Sequence, residues 1–225
     1  MAIPNFGINV NPSKNSAEAA NSLNVLFMLT ILSLAPSILI MMTAFTRIII
    51  VLSFVRTAIG IQQMPPNQIL IGLALFLTFF VMAPVFDEIN TTAYQPFIQN
   101  TITQEQAFTN AMTPLRTFML KQIYPKDLNL FISLSKKSAP AKVEDIDNMV
   151  IIPAFITSEL KRAFQIGFFI FIPFIIIDMI VSSTLMTMGM MMLPPMMISL
   201  PFKILLFIMV DGWLQIIKML VSGFK

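Results

Sequence analysis

ILIGLALFLTFFVMAPVF, Ile69 to Phe86, runs for eighteen residues without a charge. A helix needs about 20 consecutive apolar residues to cross the hydrocarbon core of a bilayer. The run is bounded by Pro65-Pro66 before it and Asp87-Glu88 after it, and three further apolar blocks lie to either side. Leu23 to Ile61 is interrupted by Pro36, Arg47 and Arg56. Phe164 to Leu193 carries one charge, Asp178, and Ile198 to Phe224 carries Lys203, Asp211 and Lys218. Four spans are the expectation from hydropathy. The whole chain agrees with a membrane class: of 225 residues 56% are hydrophobic and 11% charged, against about 25% charged in soluble domains.

Proline cannot continue a helix and biases its predecessor toward extended geometry. Pro65-Pro66 and Pro194-Pro195 therefore each separate two apolar stretches into a helical hairpin. The reading is an all-α, membrane-associated chain. Residues 1–22 form a flexible polar segment, 23–86 a first hairpin, 87–149 a water-exposed helical insert and 150–225 a second hairpin. The insert holds thirteen of the twenty-five charged residues, seven acidic and six basic. Thr103–Tyr124 and Lys126–Lys136 read as short amphipathic helices, burying Leu115, Phe118 and Met119, then Leu128, Leu130 and Phe131. Lys136–Asp147 lacks an apolar period and reads as a loop. The start, MAIPNFGINVNPSKNS, lacks the basic-then-apolar order of a signal peptide. Either the first apolar block serves for insertion or a signal has been removed.

Several charges sit where lipid-facing helices have none. Arg47 and Arg56, nine residues apart, fall on opposite sides of one helix, so more than one side must meet protein or water. Asp211 and Lys218 share a face, with Lys203 about 80° from it. Buried ionisable groups usually pair, and seven residues is too far within one helix. Partners must come from other segments or other subunits, and Glu159 and Asp178 are the available acids besides Asp211. Arg47, Arg56, Asp178 and Asp211 are thus expected to be buried structural charges.

Catalytic signatures are absent. There is no cysteine and no histidine, which excludes disulfides, thiolate chemistry and Cys/His metal sites. No GxSxG, HExxH or phosphate-cradling glycine loop occurs. Asp178 and Asp211 supply the number of aspartates an intramembrane protease needs without its glycine-flanked context. A net charge of +3 does not suggest nucleic acid. No cofactor or metal is expected. A transporter or proton relay through Asp178, Asp211 and Lys203 stays open as the runner-up to a binding or channel role.

Seven of nineteen methionines lie between Met186 and Met197, beside Gly189 and the second double proline. Methionine is unbranched and polarizable, so such a cluster makes a deformable apolar surface suited to a seal or an adaptable interface. An ordinary core is the competing explanation.

TAFTRIIIVLSFVRTAIGIQQMPPNQILIGLALFLTFFVMAPV (Thr43 to Val85), IPAFITSELKRAFQIGFFIFIPFIIID (Ile152 to Asp178), GMMMLPPMMISLPFK (Gly189 to Lys203) and VDGW (Val210 to Trp213) together resemble the FliP family of bacterial flagellar type III export. The wording is closer to the flagellar than to the injectisome branch, and the resemblance covers about residues 20–222. It implies a subunit of a staggered, ring-like homo-oligomer, a pentamer, completed by the flagellar Q and R proteins and met by the B and A export components. Such a gate passes unfolded flagellar proteins through a closed pore in the inner membrane at the flagellar basal body. Much of it is raised toward the periplasm, with the polar insert on that side, and a four-span count then misleads. The resemblance places Met190, Met191 and Met192 at the pore constriction. It pairs Glu159 with Lys203 of a neighbouring subunit and leaves Asp178 and Asp211 without a role.

Overall fold

The computed structural model describes residues 25–26, 28–30, 33–34, 37, 40–61, 64–135, 145–190 and 193–224. The chain divides into two units, 1–39 and 40–225. In the first, the described positions between Val25 and Ser37 are helical. The second carries the elements that follow, and among its described residues there is no strand.

Helix α1, Phe45–Ile59, stops at Gly60, whose φ of 89° is left-handed and whose N–H returns to the Thr57 carbonyl. Glycine takes that conformation without a Cβ clash. The chain turns through Pro65-Pro66, and α2, Asn67–Ile89, begins with Pro66 at its N-cap. Arg56 ties the turn to α1: its Nη1 donates to the Asn67 side-chain oxygen and, at 3.4 Å, to the Pro65 carbonyl. α2 runs through a π-helical turn, Asn90–Tyr94, into α3, Gln95–Ile98. Together they make one helical rod of 32 residues.

α4, Gln104–Gln122, opens on a capping box: Thr103 accepts from the Gln106 N–H and Gln106 returns the bond, satisfying two otherwise orphan donors. α5, Pro125–Leu134, starts on a proline at its first turn, where the missing N–H costs nothing. α6, Asn148–Thr187, has 40 residues, capped by Asp147 through the Met149 N–H, and is about 60 Å long at 1.5 Å per residue. α7, Pro195–Met209, follows Pro194 as N-cap, and α8, Gly212–Ser222, leaves it at an angle of 61°.

The core forms where α1 lies on α6. Ile48, Val51, Leu52 and Val55 face Ile151, Ala154, Phe155 and Ala163, with Leu70, Ala74 and Met82 of α2 and Ile216 and Leu220 of α8 closing it. Leu115, Phe118 and Met119 of α4 are buried as the amphipathic reading expects. α5 departs from it. Leu130 is exposed, while Leu128, Phe131 and Ile132 pack on the core and Asp127 is the buried residue. Its inward face is set by a hydrogen bond that Asp127 accepts from Ser158, which an apolar tally misses. Of the loop expected over Lys136–Asp147, residues 136–144 lie outside the described residues.

Four spans are not found among the described residues, which leave out part of the first apolar block. Among the described residues, two helices are long and apolar enough to cross a membrane, 67–98 and 148–187, or three if the bent α7–α8 pair is one span. The last apolar block is one run in sequence and two helices in space. Its corner is Asp211, at φ 51° and ψ 50°, followed by buried Gly212. A Cβ on Gly212 would stand 2.2 Å from the Phe207 ring, which is itself buried and meets Trp213 edge-on at 5.3 Å. Helix propensity alone favours alanine over glycine by about 0.5–1 kcal/mol. Overpacking a fixed ring costs about 1–3 kcal/mol, so packing decides. Gly212→Ala is expected to lower the thermal midpoint in detergent, and an unchanged or raised midpoint would contradict this packing.

Candidate functional site

Arg47, in the first turn of α1, is 1% exposed. Its Nε donates to Glu159 Oε2 at 2.8 Å and its Nη2 to Glu159 Oε1, a bidentate pair. Nη2 also reaches Gln122 Oε1 at 3.1 Å, and Nη1 donates to the Gly223 carbonyl at 2.9 Å. Glu159 is 0% exposed. The planar guanidinium suits this geometry because its fork meets both carboxylate oxygens at once. Desolvating two charges costs several kcal/mol per ion and is offset only when the remaining donors and acceptors are satisfied. Among the described residues no buried side-chain nitrogen or oxygen lacks a partner.

The network extends along one face of α6. Arg162 donates to Gln122 Oε1 at 2.8 Å and to the Gln122 carbonyl at 3.3 Å. It also stands 4.8 Å from the Tyr124 ring centroid. Ser158 donates to Asp127 at 2.8 Å and accepts from the Tyr124 N–H at 3.1 Å. Lys161, nearly half exposed, reaches Asp127 at 3.4 Å. Sequence reasoning missed Gln122, Tyr124, Asp127, Ser158 and Arg162. The signal was the polar run Ser158–Arg162 inside an apolar helix, because residues four apart share a face.

A second pair lies between α6 and α7. Lys203 Nζ donates to Asp178 Oδ2 at 2.6 Å and to the Ala58 carbonyl at 3.5 Å. Ser199 donates to the other Asp178 oxygen at 2.6 Å. The lysine side chain is 5% exposed and the aspartate 31%.

These contacts bear on three expectations. Within the protomer Glu159 pairs with Arg47 and Lys203 with Asp178, so each has a counter-ion in its own chain. Asp178, left without a role, is the partner of Lys203. In the single protomer Arg56 is half-buried at the first hairpin turn and Asp211 is exposed at the α7–α8 corner. Within the protomer Asp211 joins neither Asp178 nor Lys203.

At the far end of α6, Met186, Met188 and Met190 are exposed around left-handed Gly189. Met191 and Met192 lie outside the described residues. Just before this tip α6 and α7 enclose an apolar cleft of about 420 Å³ walled by Ile177, Leu185, Ile198 and Phe202. Phe76, Phe80, Phe168, Phe169 and Ile208 are also exposed. Single exposed apolar residues are ordinary, whereas extended apolar faces mark lipid or protein contact.

The sequence profile of the FliP family matches residues 28–220. The flagellar biosynthetic protein FliP of Bacillus subtilis (strain 168) is 57% identical over 217 residues, covering 96% of this chain and 98% of that protein. The protein of the same name from Treponema pallidum (strain Nichols) is 47% identical over 224 residues, 99% of this chain and 83% of its own length. That of Aquifex aeolicus (strain VF5) is 48% identical over 207 residues, 91% and 87% respectively. With an all-helical fold, two helices able to span a membrane and a match along most of its length, this chain belongs to the FliP family.

Proposed function

We propose that this chain is a core subunit of a flagellar type III protein export gate, with no chemistry of its own. Its work is mechanical: it forms part of a pore through which unfolded flagellar proteins pass, and Met190, Met191 and Met192 seal that pore. The subunits assemble as a homo-pentamer, joined by the flagellar Q and R proteins and approached by the B and A export components. The assembly lies in the inner membrane at the flagellar basal body, partly raised toward the periplasm, with the insert on that side. The observation that carries this reading is the FliP-family match combined with an exposed methionine tip at the end of α6.

The chemistry fits the task. A translocating chain presents side chains of every size, so a seal of rigid branched residues would either jam or leak. Methionines change rotamer cheaply and keep an apolar surface. The buried charges Arg47, Glu159 and Lys203 are paired inside the protomer, so they do not need partners from neighbours or lipid. The test is conductance. Replacing Met190, Met191 and Met192 together with alanine is expected to raise ion leakage severalfold in cells holding an assembled gate. Native mass spectrometry with co-expressed Q and R proteins confirms assembly independently. Wild-type conductance in an assembled variant overturns the seal, whereas a stable monomer that ignores Q and R overturns the gate.

A further inference from the structure

The Arg47–Glu159 pair is covered by a turn that comes from the other end of the chain. After α8, the Gly223 carbonyl accepts from Arg47 Nη1 at 2.9 Å, and the Phe224 ring centroid lies 3.7 Å from the guanidinium carbon. The Phe224 carbonyl accepts from Gln122 Nε2 at 3.4 Å, and its ring stacks on Phe118 at 6.1 Å. One short turn therefore supplies a hydrogen bond and an aromatic face to the cation, and a further bond to the residue that shares it. The corner at Asp211 makes this reach available. A straight continuation of α7 would carry the eleven residues of α8 along its own axis by about 16 Å, away from α1. The 61° bend changes that course, and the turn after α8 meets Arg47.

We infer that Gly223–Phe224 is a strap that closes the buried Arg47–Glu159 pair, and that the Asp211 corner positions it. With the strap undocked, Nη1 loses its acceptor and the guanidinium face opens. Arg47, Gln122 and Glu159 are all synthesised before residues 223–224. The pair is therefore completed last, and a protomer without the docked turn carries an incompletely satisfied cation at its centre. The strap makes burial of the early charges conditional on the late helix.

Hydrogen–deuterium exchange of the full chain in detergent tests this with Phe224→Leu and Phe224→Trp. A desolvated cation–π contact is strong enough to change local opening about tenfold or more. Phe224→Leu is expected to speed exchange by that factor over residues 45–50, 118–124 and 157–163, leaving 178–187 unchanged, and Phe224→Trp is expected to preserve protection. Faster exchange confined to 219–224 would mean that the ring only fills space beside Phe118, and would overturn the strap. A second measurement places Phe224→Leu in an Arg47→Met, Glu159→Leu background. The strap predicts that the thermal shift caused by Phe224→Leu disappears there, since the coupled groups are gone. An equal shift in both backgrounds overturns the inference, and if that background does not fold, the exchange pattern decides alone.

Discussion

Glu159→Gln is expected to destabilise the protomer by about 3–5 kcal/mol, the usual cost of leaving one member of a buried ion pair uncompensated. Glutamine keeps the size of glutamate but removes the charge, and its amide nitrogen presents a donor to donors. Arg47 has no other carboxylate among its hydrogen-bond partners: Gln122 and the Gly223 carbonyl are neutral. Retreat to solvent is closed, since the arginine is 1% exposed and packed beneath Phe224. The readouts are the unfolding midpoint in detergent and the steady-state amount in membranes, both of which should fall sharply. Removing both charges with apolar residues, Arg47→Met with Glu159→Leu, should recover most of the loss, because the desolvation cost disappears with the attraction. A Glu159→Gln variant as stable as the parent would mean that this pair contributes nothing to the fold.

The second large effect is an asymmetry at the other pair. Asp178→Ala should cost more than Lys203→Met, although both break the same contact. Lys203 is the enclosed partner, with 5% of its side chain exposed, whereas Asp178 retains 31%. Losing the aspartate strands a cation in an apolar site, at about 2–3 kcal/mol after allowing for water near Asp178. Losing the lysine strands a carboxylate that water and Ser199 still serve, at about 1 kcal/mol. Exchanging the two, Asp178→Lys with Lys203→Asp, should restore part of the stability. Exchanging Glu159 and Lys203 should not. Rescue by the second swap, and none by the first, would return the pairing to neighbouring subunits.

Local chemistry made much of the fold readable. The double prolines forced turns at Pro65-Pro66 and Pro194-Pro195 whatever the rest of the chain did. The capping residues Thr103 and Asp147 sit directly before their helices. Eighteen uncharged residues from Ile69 could only be a buried or lipid-facing helix. Partner choice was another matter. Arg47 and Glu159 are 112 positions apart, and no periodicity says which of several acids an arginine will find. The charge rule required a partner for Lys203, and Asp178 was among the acids open to it, but geometry alone could select it. Asp211 misled because hydropathy smooths over a single residue. A left-handed corner costs a non-glycine residue only about a kilocalorie, far too little to register in an apolar average. Leu130 misled in the opposite way, since the face of α5 is fixed by Asp127 and Ser158.

The length of α6 sets a limit on how the molecule can sit. A rod of about 60 Å crossing a hydrocarbon slab of about 30 Å would have to lean by about 60° to be wholly immersed. Helices lean by up to about 40°, which leaves at least about a third of the rod beyond the slab. From Phe164 to Thr187 the helix carries one charge, Asp178, already neutralised by Lys203. The segment before it carries Glu159, Lys161 and Arg162. Were α6 to cross a bilayer, the end gripped by Arg47, α4 and α5 would be the one to emerge, and its charged cluster would limit how deep the helix could sink.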